Sequence, residues 1–144
     1  MRLTLAQART ILDAALAKAA DLKLKPLAVS VLDDRGALIA FAAQDGTSLM
    51  RGDVARGKAY GALALGMGSR AIFKRAQDPG QAPFVNAVNT LAGGAIVPVP
   101  GGVLMRDASS AVLGAVGISG DTSDNDEACA LAGIAAAGLT GDTG

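Results

Sequence analysis

The 144-residue chain contains no histidine and no tryptophan. Without an imidazole, histidine ligation of zinc or haem is excluded, and so are Ser-His-Asp and Cys-His catalytic arrangements. Cysteine occurs once, as Cys129, which excludes an intramolecular disulfide and any thiolate metal cluster. No metal site is therefore expected. Aromatic residues make up only 3% of the chain, leaving no stacking platform for single-stranded nucleic acid. Neither sign of charge is in excess: Lys+Arg and Asp+Glu each number 13, so no basic surface is expected to draw in nucleic acid or anionic lipid. Long apolar runs are missing from the N-terminal stretch, where Arg9, Asp13, Lys18 and Asp21 interrupt any signal-peptide core or membrane span. The expectation is a cytoplasmic protein with neither a nucleic-acid nor a membrane partner. Chemistry is left to Asp, Glu, Lys, Arg, the single tyrosine Tyr60, the hydroxyls and the backbone.

What is present is ample apolar material, 51% of the residues, enough for one core and one domain over residues 1–144. Thr4 followed by Gln7 is a capping-box pattern, and Leu5, Ala8, Leu12, Ala15, Leu16, Ala19 and Leu22 recur at helical spacing behind it. Beyond Pro26, "LAVSVLD", the turn "DDRG" and "ALIAFAAQDG" predict an antiparallel hairpin. "SLMRGDVARGKAYGALALG" returns to helical spacing, and its three internal glycines point to close packing against a neighbour. "SRAIFKRAQ" and "APFVNAVNTL" read as short helices, "GGVLMRD" and "AVLGAVGIS" as a second hairpin, and Thr122 to Leu139 as a last helix followed by a frayed "TGDTG" tail. Hairpins without crossover units predict an antiparallel sheet with helices packed on it.

Helical spacing puts Arg51, Ala55, Lys58 and Ala62 on one face, a stripe with two cations that points either to water or into a cleft. Asp53 and Arg56 read as an exposed ion pair, and Tyr60 as a core residue with a wet hydroxyl or a proton donor. Gly101 and Gly102, preceded by Pro98 and Pro100, suit either a sharp strand entry or a backbone wall of a pocket. Gly114, Gly117 and Gly120 match neither the dinucleotide fingerprint nor the P-loop. In that strand, Val112, Gly114, Val116 and Ile118 are expected on one face, with Leu113, Ala115, Gly117 and Ser119 on the other. Thr122, Ser123, Asp124, Asp126 and Glu127 read as caps and first-turn acids of the last helix rather than a metal loop. Cys129 reads as a small buried hydrophobe.

Three phrases, "VSVLDDRGALIAFAAQDG", "DVARGKAYGAL" and "PGGVLMRDASSAVLGAVGISGDTSDNDEACALAG", together with the order of elements resemble the GlcG/HbpS-like family of haem-binding-protein-like domains. That family includes the C-terminal domain of PduO-type corrinoid adenosyltransferases. The resemblance implies a profilin-like α/β fold: a five-stranded antiparallel sheet flanked by helices. It also implies assembly with itself, from dimer to octamer, and haem or corrinoid binding in some members. This chain departs from the pattern in having no axial histidine, in Leu104 where a proline is usual, and in the acidic Asp121 after Ser119. Haem or corrinoid is disfavoured as a cofactor by the missing histidine, leaving Tyr60, Met67 or an oxygen ligand.

The leading expectation is a small-ligand-binding protein of a catabolic pathway. Its ligand would be a small organic anion held between the helix carrying Arg56 and Lys58 and the backbone at Gly101, Gly102, Ser119 and Gly120. The second is an isomerase or lyase acting on a small acid, with Lys58, Tyr60 or Asp126 as acid or base. The third is a haem or corrinoid carrier.

Overall fold

The computed structural model describes residues 2–144. Among these the chain runs through α1 (Leu5–Asp21), β1 (Ala28–Asp33), β2 (Leu38–Ala43), α2 (Arg51–Leu65), α3 (Ser69–Gln77) and α4 (Ala82–Leu91). It continues through β3 (Gly102–Arg106), β4 (Val112–Ser119), α5 (Ser123–Ala136) and β5 (Thr140–Asp142). The strands form one antiparallel sheet in the order β2-β1-β4-β3-β5. Five strands flanked by helices is the architecture that the sequence resemblance implies.

Local chemistry accounts for the main boundaries. The Thr4 side chain accepts from the Gln7 amide while Gln7 Oε1 accepts from the Thr4 amide, so two free helix-end donors are satisfied reciprocally at the start of α1. Each hairpin turns on an aspartate. Asp33 Oδ1 accepts from the amides of Arg35 and Ala37, at 2.9 and 3.0 Å, and Asp107 Oδ1 does the same for Ser109 and Ala111, at 2.8 and 3.0 Å.

The sheet separates two apolar layers. On one side, Val29, Val31, Val103, Met105, Val116 and Ile118 pack under α1 and α5; on the other, Leu32, Leu104 and Ala115 pack under Ala59 and Ala62 of α2. Val112 packs with the α2 layer, away from Val116 and Ile118. The pairing shift that sets Met105 opposite Gly114 but Arg106 opposite Val112 makes Leu113 an extra residue. Such a bulge reverses the facing of every residue before it.

The C-terminal tail is not frayed. Gly138, at φ +75°, turns the chain back after α5, and Thr140–Asp142 pairs with β3 as an edge strand. Arg106 Nε donates to Asp142 Oδ2 at 2.8 Å and pins that edge. The last helix accordingly ends at Ala136 rather than Leu139.

With few aromatics to fill space, the layers close on small residues. Helix α2 lies so near β4 that a side-chain carbon at Gly117 would overlap the Ala55 carbonyl oxygen. That contact sets the depth at which Lys58 enters the molecule. Replacing Gly117 by Ala must push α2 off the sheet, and overpacking of this kind destabilises by about 1–3 kcal/mol. Urea unfolding of Gly117→Ala is expected to show that loss; a midpoint equal to wild type would contradict the close packing of α2 on β4.

Candidate functional site

Successive residues of a helix differ by about 100°, so residues two apart face nearly opposite ways. This divides the expected site. Lys58 lies on the stripe with Ala55 and Ala62, which is buried against the sheet, while Arg56 is exposed on the outer face of α2. The single pocket wall expected from Arg56 and Lys58 together is not what the helix presents, because its turn separates them.

The Lys58 side chain is 2% exposed and runs past the start of β3. Its Nζ donates to the Ile118 carbonyl at 2.8 Å and to Asp126 Oδ2 at 3.1 Å. Asp126 is 1% exposed, and its other oxygen accepts from the Asp121 amide at 3.0 Å. Gly101 makes the passage possible. Its φ of +122° is a backbone conformation side chains rarely adopt, and a carbon attached there would sit 2.9 Å from Lys58 Nζ. Gly102 lies directly against the Lys58 backbone, and its amide donates to the Ser69 hydroxyl at 2.7 Å. The backbone at Gly101 and Gly102 is therefore covered by α2 and not open to a ligand.

Burial pushes the Lys58 ammonium below its usual pKa, against the pull of Asp126, with Arg51 adding repulsion. Burial likewise pushes the Asp126 carboxyl up, against the pull of Lys58. The acids at the start of α5 are thus partners for other helices more than first-turn ornaments of their own. Asp126 holds α2, while Arg70 of α3 donates from Nε to both oxygens of Glu127, at 3.1 and 3.0 Å, and from Nη2 to Asp124. Those acids push the Arg70 guanidinium above its usual pKa. Only Thr122 acts as the cap, accepting from the Asn125 amide at 3.2 Å. Arg70 and Ser69 carry no periodic signal that would have linked them to partners so distant in sequence.

Arg56 and Tyr60 come together elsewhere. They line a groove of about 520 Å³ between the outer face of α2 and residues 94–97, with Met50, Val54, Ala95 and Val97 as apolar walls. Gly57 and Gly61 let that segment close on the helix, since side-chain carbons there would meet Val97 and Ile96 at 2.6 and 2.8 Å. Asp53 also lines the groove but lies outside ion-pair distance of Arg56 among the described residues.

Ser119 and Gly120 belong to a third place. The buried Ser119 hydroxyl accepts from Arg51 Nη1 at 3.2 Å, and Gly120 lines a small cleft beside Arg51 and Lys25. Cys129 is fully buried, and burial pushes its thiol up to about 11, so it stays protonated near neutrality. Among the described residues, no three His, Cys, Asp or Glu side chains converge as metal ligands.

The model of the HbpS-like family, described as haem degrading protein HbpS-like, matches residues 3–135. The chain belongs to the HbpS-like family. Its structure is similar to Klebsiella pneumoniae protein ORFY, with 27% identity, 96% of this chain and 92% of that chain covered, and a TM-score of 0.85. A doubly substituted HbpS of Streptomyces reticuli is 26% identical over 94% of this chain and 86% of that chain, with a TM-score of 0.78. The complex of PduOC with haem shares the fold, with a TM-score of 0.86 over 96% of this chain and 97% of that chain at 24% identity. No curated protein matches the HbpS-like chain in sequence.

Two outcomes are expected. Lys58→Met or Asp126→Leu alone leaves a buried charge unpaired and is expected to lower stability by about 3–5 kcal/mol, whereas the double variant recovers most of that loss. Urea unfolding of all three measures it, and losses that simply add in the double variant would dismiss the pair. Asp121 accepts from the Asn125 side chain and from the Thr122 and Lys25 amides, which hold its carboxyl down to about 2 from the usual 3.8. A depressed folded-state pKa gives stability that is present above 3.8 and is lost as pH falls from 3.8 towards about 2. Acid unfolding of Asp121→Asn is expected to lack that part of the pH dependence.

Proposed function

We propose that this HbpS-like chain binds an organic anion with a substantial apolar part in the groove on the outer face of α2. The observation that carries this reading is the convergence of Arg56 and Tyr60 on about 520 Å³ of otherwise mainly apolar wall. Binding sites of this size commonly combine apolar walls with a few polar groups that orient the ligand. Arg56 supplies a planar donor fork for a carboxylate, Tyr60 a single hydroxyl, and Val54, Ala95 and Val97 the dry surface.

Haem is one amphipathic organic anion that this groove suits. The family description supports including it, and the donor set allows it without histidine: Tyr60 supplies an oxygen ligand, Met50 a thioether, and Arg56 a partner for a propionate. Bound haem would supply redox chemistry at its iron; the chain's part is to hold the ring edge, neutralise a carboxylate and keep water from one face.

Acid or base catalysis is the weaker reading. Of its three candidates, Lys58 and Asp126 are closed off from solvent by each other and by the sheet, and only Tyr60 lines the groove. Self-association belongs to the same proposal, because Leu49 and Leu91 are 95% and 87% exposed and a second copy would cover such surface. Among the described residues, no helix is long and apolar enough to cross a membrane.

Thermal shifts with a panel of aromatic and aliphatic carboxylates, and absorbance titration with haemin, test the groove. The expected result is a ligand-dependent shift that Arg56→Gln loses for carboxylates, and a haemin spectrum that Tyr60→Phe alters. Responses identical in wild type and both variants would place the ligand elsewhere. Consumption of any bound acid on incubation would favour the catalytic reading.

A further inference from the structure

Two of the cations that lack an ion-pair partner meet at the other side of the α2 N-terminus. Lys58, Arg35, Arg70 and Arg106 all have carboxylate partners, whereas among the described residues neither Lys25 nor Arg51 lies within ion-pair distance of one. Both line the same place. Two adjoining clefts, of about 290 and 220 Å³, share Lys25, Arg51 and Gly120 as walls. Lys25 enters from the α1–β1 connection, Arg51 from the first turn of α2, Thr47 and Ser48 from the β2–α2 connection, and Gly120 from the β4–α5 connection.

The guanidinium is held in place. Arg51 Nη1 donates to the fully buried Ser119 hydroxyl at 3.2 Å, an anchor that leaves its remaining N–H groups without partners among the described residues. Lys25 is held by its own backbone, whose amide donates to Asp121 Oδ1 at 3.1 Å. Asp121 is the one acid on these walls, and its oxygens are already occupied by the Lys25 and Thr122 amides and the Asn125 side chain. The free side-chain donors in the cleft are cationic or hydroxylic, the space between them is small, and the single charge of Asp121 stands against two cations.

We propose that this cleft is a binding site for a compact oxyanion, phosphate or the phosphoryl group of a small metabolite. A fixed guanidinium fork beside a flexible ammonium suits the several acceptor oxygens and double charge of phosphate better than the single charge of a simple carboxylate. The site shares no lining residue with the groove of Arg56 and Tyr60 and does not depend on what that groove binds.

Titration of the intact protein with inorganic phosphate, followed by amide NMR, tests the site. The backbone signals of Lys25, Thr47, Ser48 and Gly120 are expected to move saturably. Lys25→Gln and Arg51→Gln should each weaken binding by about tenfold or more, and Arg56→Gln should leave it unchanged. Should Arg51→Gln disturb the fold through Ser119, Lys25→Gln reads the same site without that anchor. Tighter binding of glycerol phosphate than of inorganic phosphate would assign a phosphorylated metabolite, and the reverse the free ion. No saturable movement, unchanged affinity in Lys25→Gln, or acetate binding as tightly as phosphate would overturn the proposal.

Discussion

One ammonium group joins the two faces of this sheet. Lys58 starts on α2, which covers one face, and ends against Asp126 on α5, which covers the other, with the Ile118 carbonyl at the end of β4 as the third partner. Taking both charges out of water is costly, and the pair is tolerated because each atom that faces inward has a hydrogen-bond partner. The surroundings follow from that requirement. Gly101 carries no side chain because the lysine occupies its place, Gly102 and Gly117 let α2 settle low enough for the lysine to reach, and the Asp121 amide turns inward to satisfy the second Asp126 oxygen. Paired glycines, a glycine-punctuated strand and an acidic helix start are separate in sequence but serve one contact.

Much of the frame is legible in the sequence. The Thr4–Gln7 cap, both hairpins and the helical middle rest on local rules, side-chain periodicity and turn chemistry, and local rules survive translation into three dimensions. The short edge strand β5 was not legible. "TGD" has no strand pattern of its own; it pairs because Gly138 reverses the chain beside β3 and Asp142 finds Arg106 there. The facing of Val112 departs from simple alternation for a similar reason, since a bulge depends on pairing to another strand.

The candidate site was legible by residue but not by arrangement. The stripe through Arg51, Ala55, Lys58 and Ala62 gathers residues on the sheet side of α2, whereas Arg56, expected to share one wall with Lys58, lies on the outer face. Helical geometry alone separates them, and only the packing tells which of the two faces the interior. Asp126 was readable as a helix-start acid from its neighbours in sequence. Its partner lies 68 residues away, and nothing in the spacing of either residue announces the other.

An overall balance of 13 cations against 13 anions suggests indifference to ligand charge, but balance over the chain is not balance at a site. Three acids at the start of α5 are committed to Lys58 and Arg70, and Asp121 is committed to backbone and amide donors. Asp121 keeps its charge while bonded to these neutral donors and offsets one of the two cations beside it, which leaves Lys25 and Arg51 with a net positive balance. Lys25, Arg51 and Arg56 are left facing open space around one helix, with two small clefts on one side of it and a mainly apolar groove on the other. A chain balanced in charge overall thus carries cations on two faces of one helix, and the buried Lys58–Asp126 pair fixes where that helix sits.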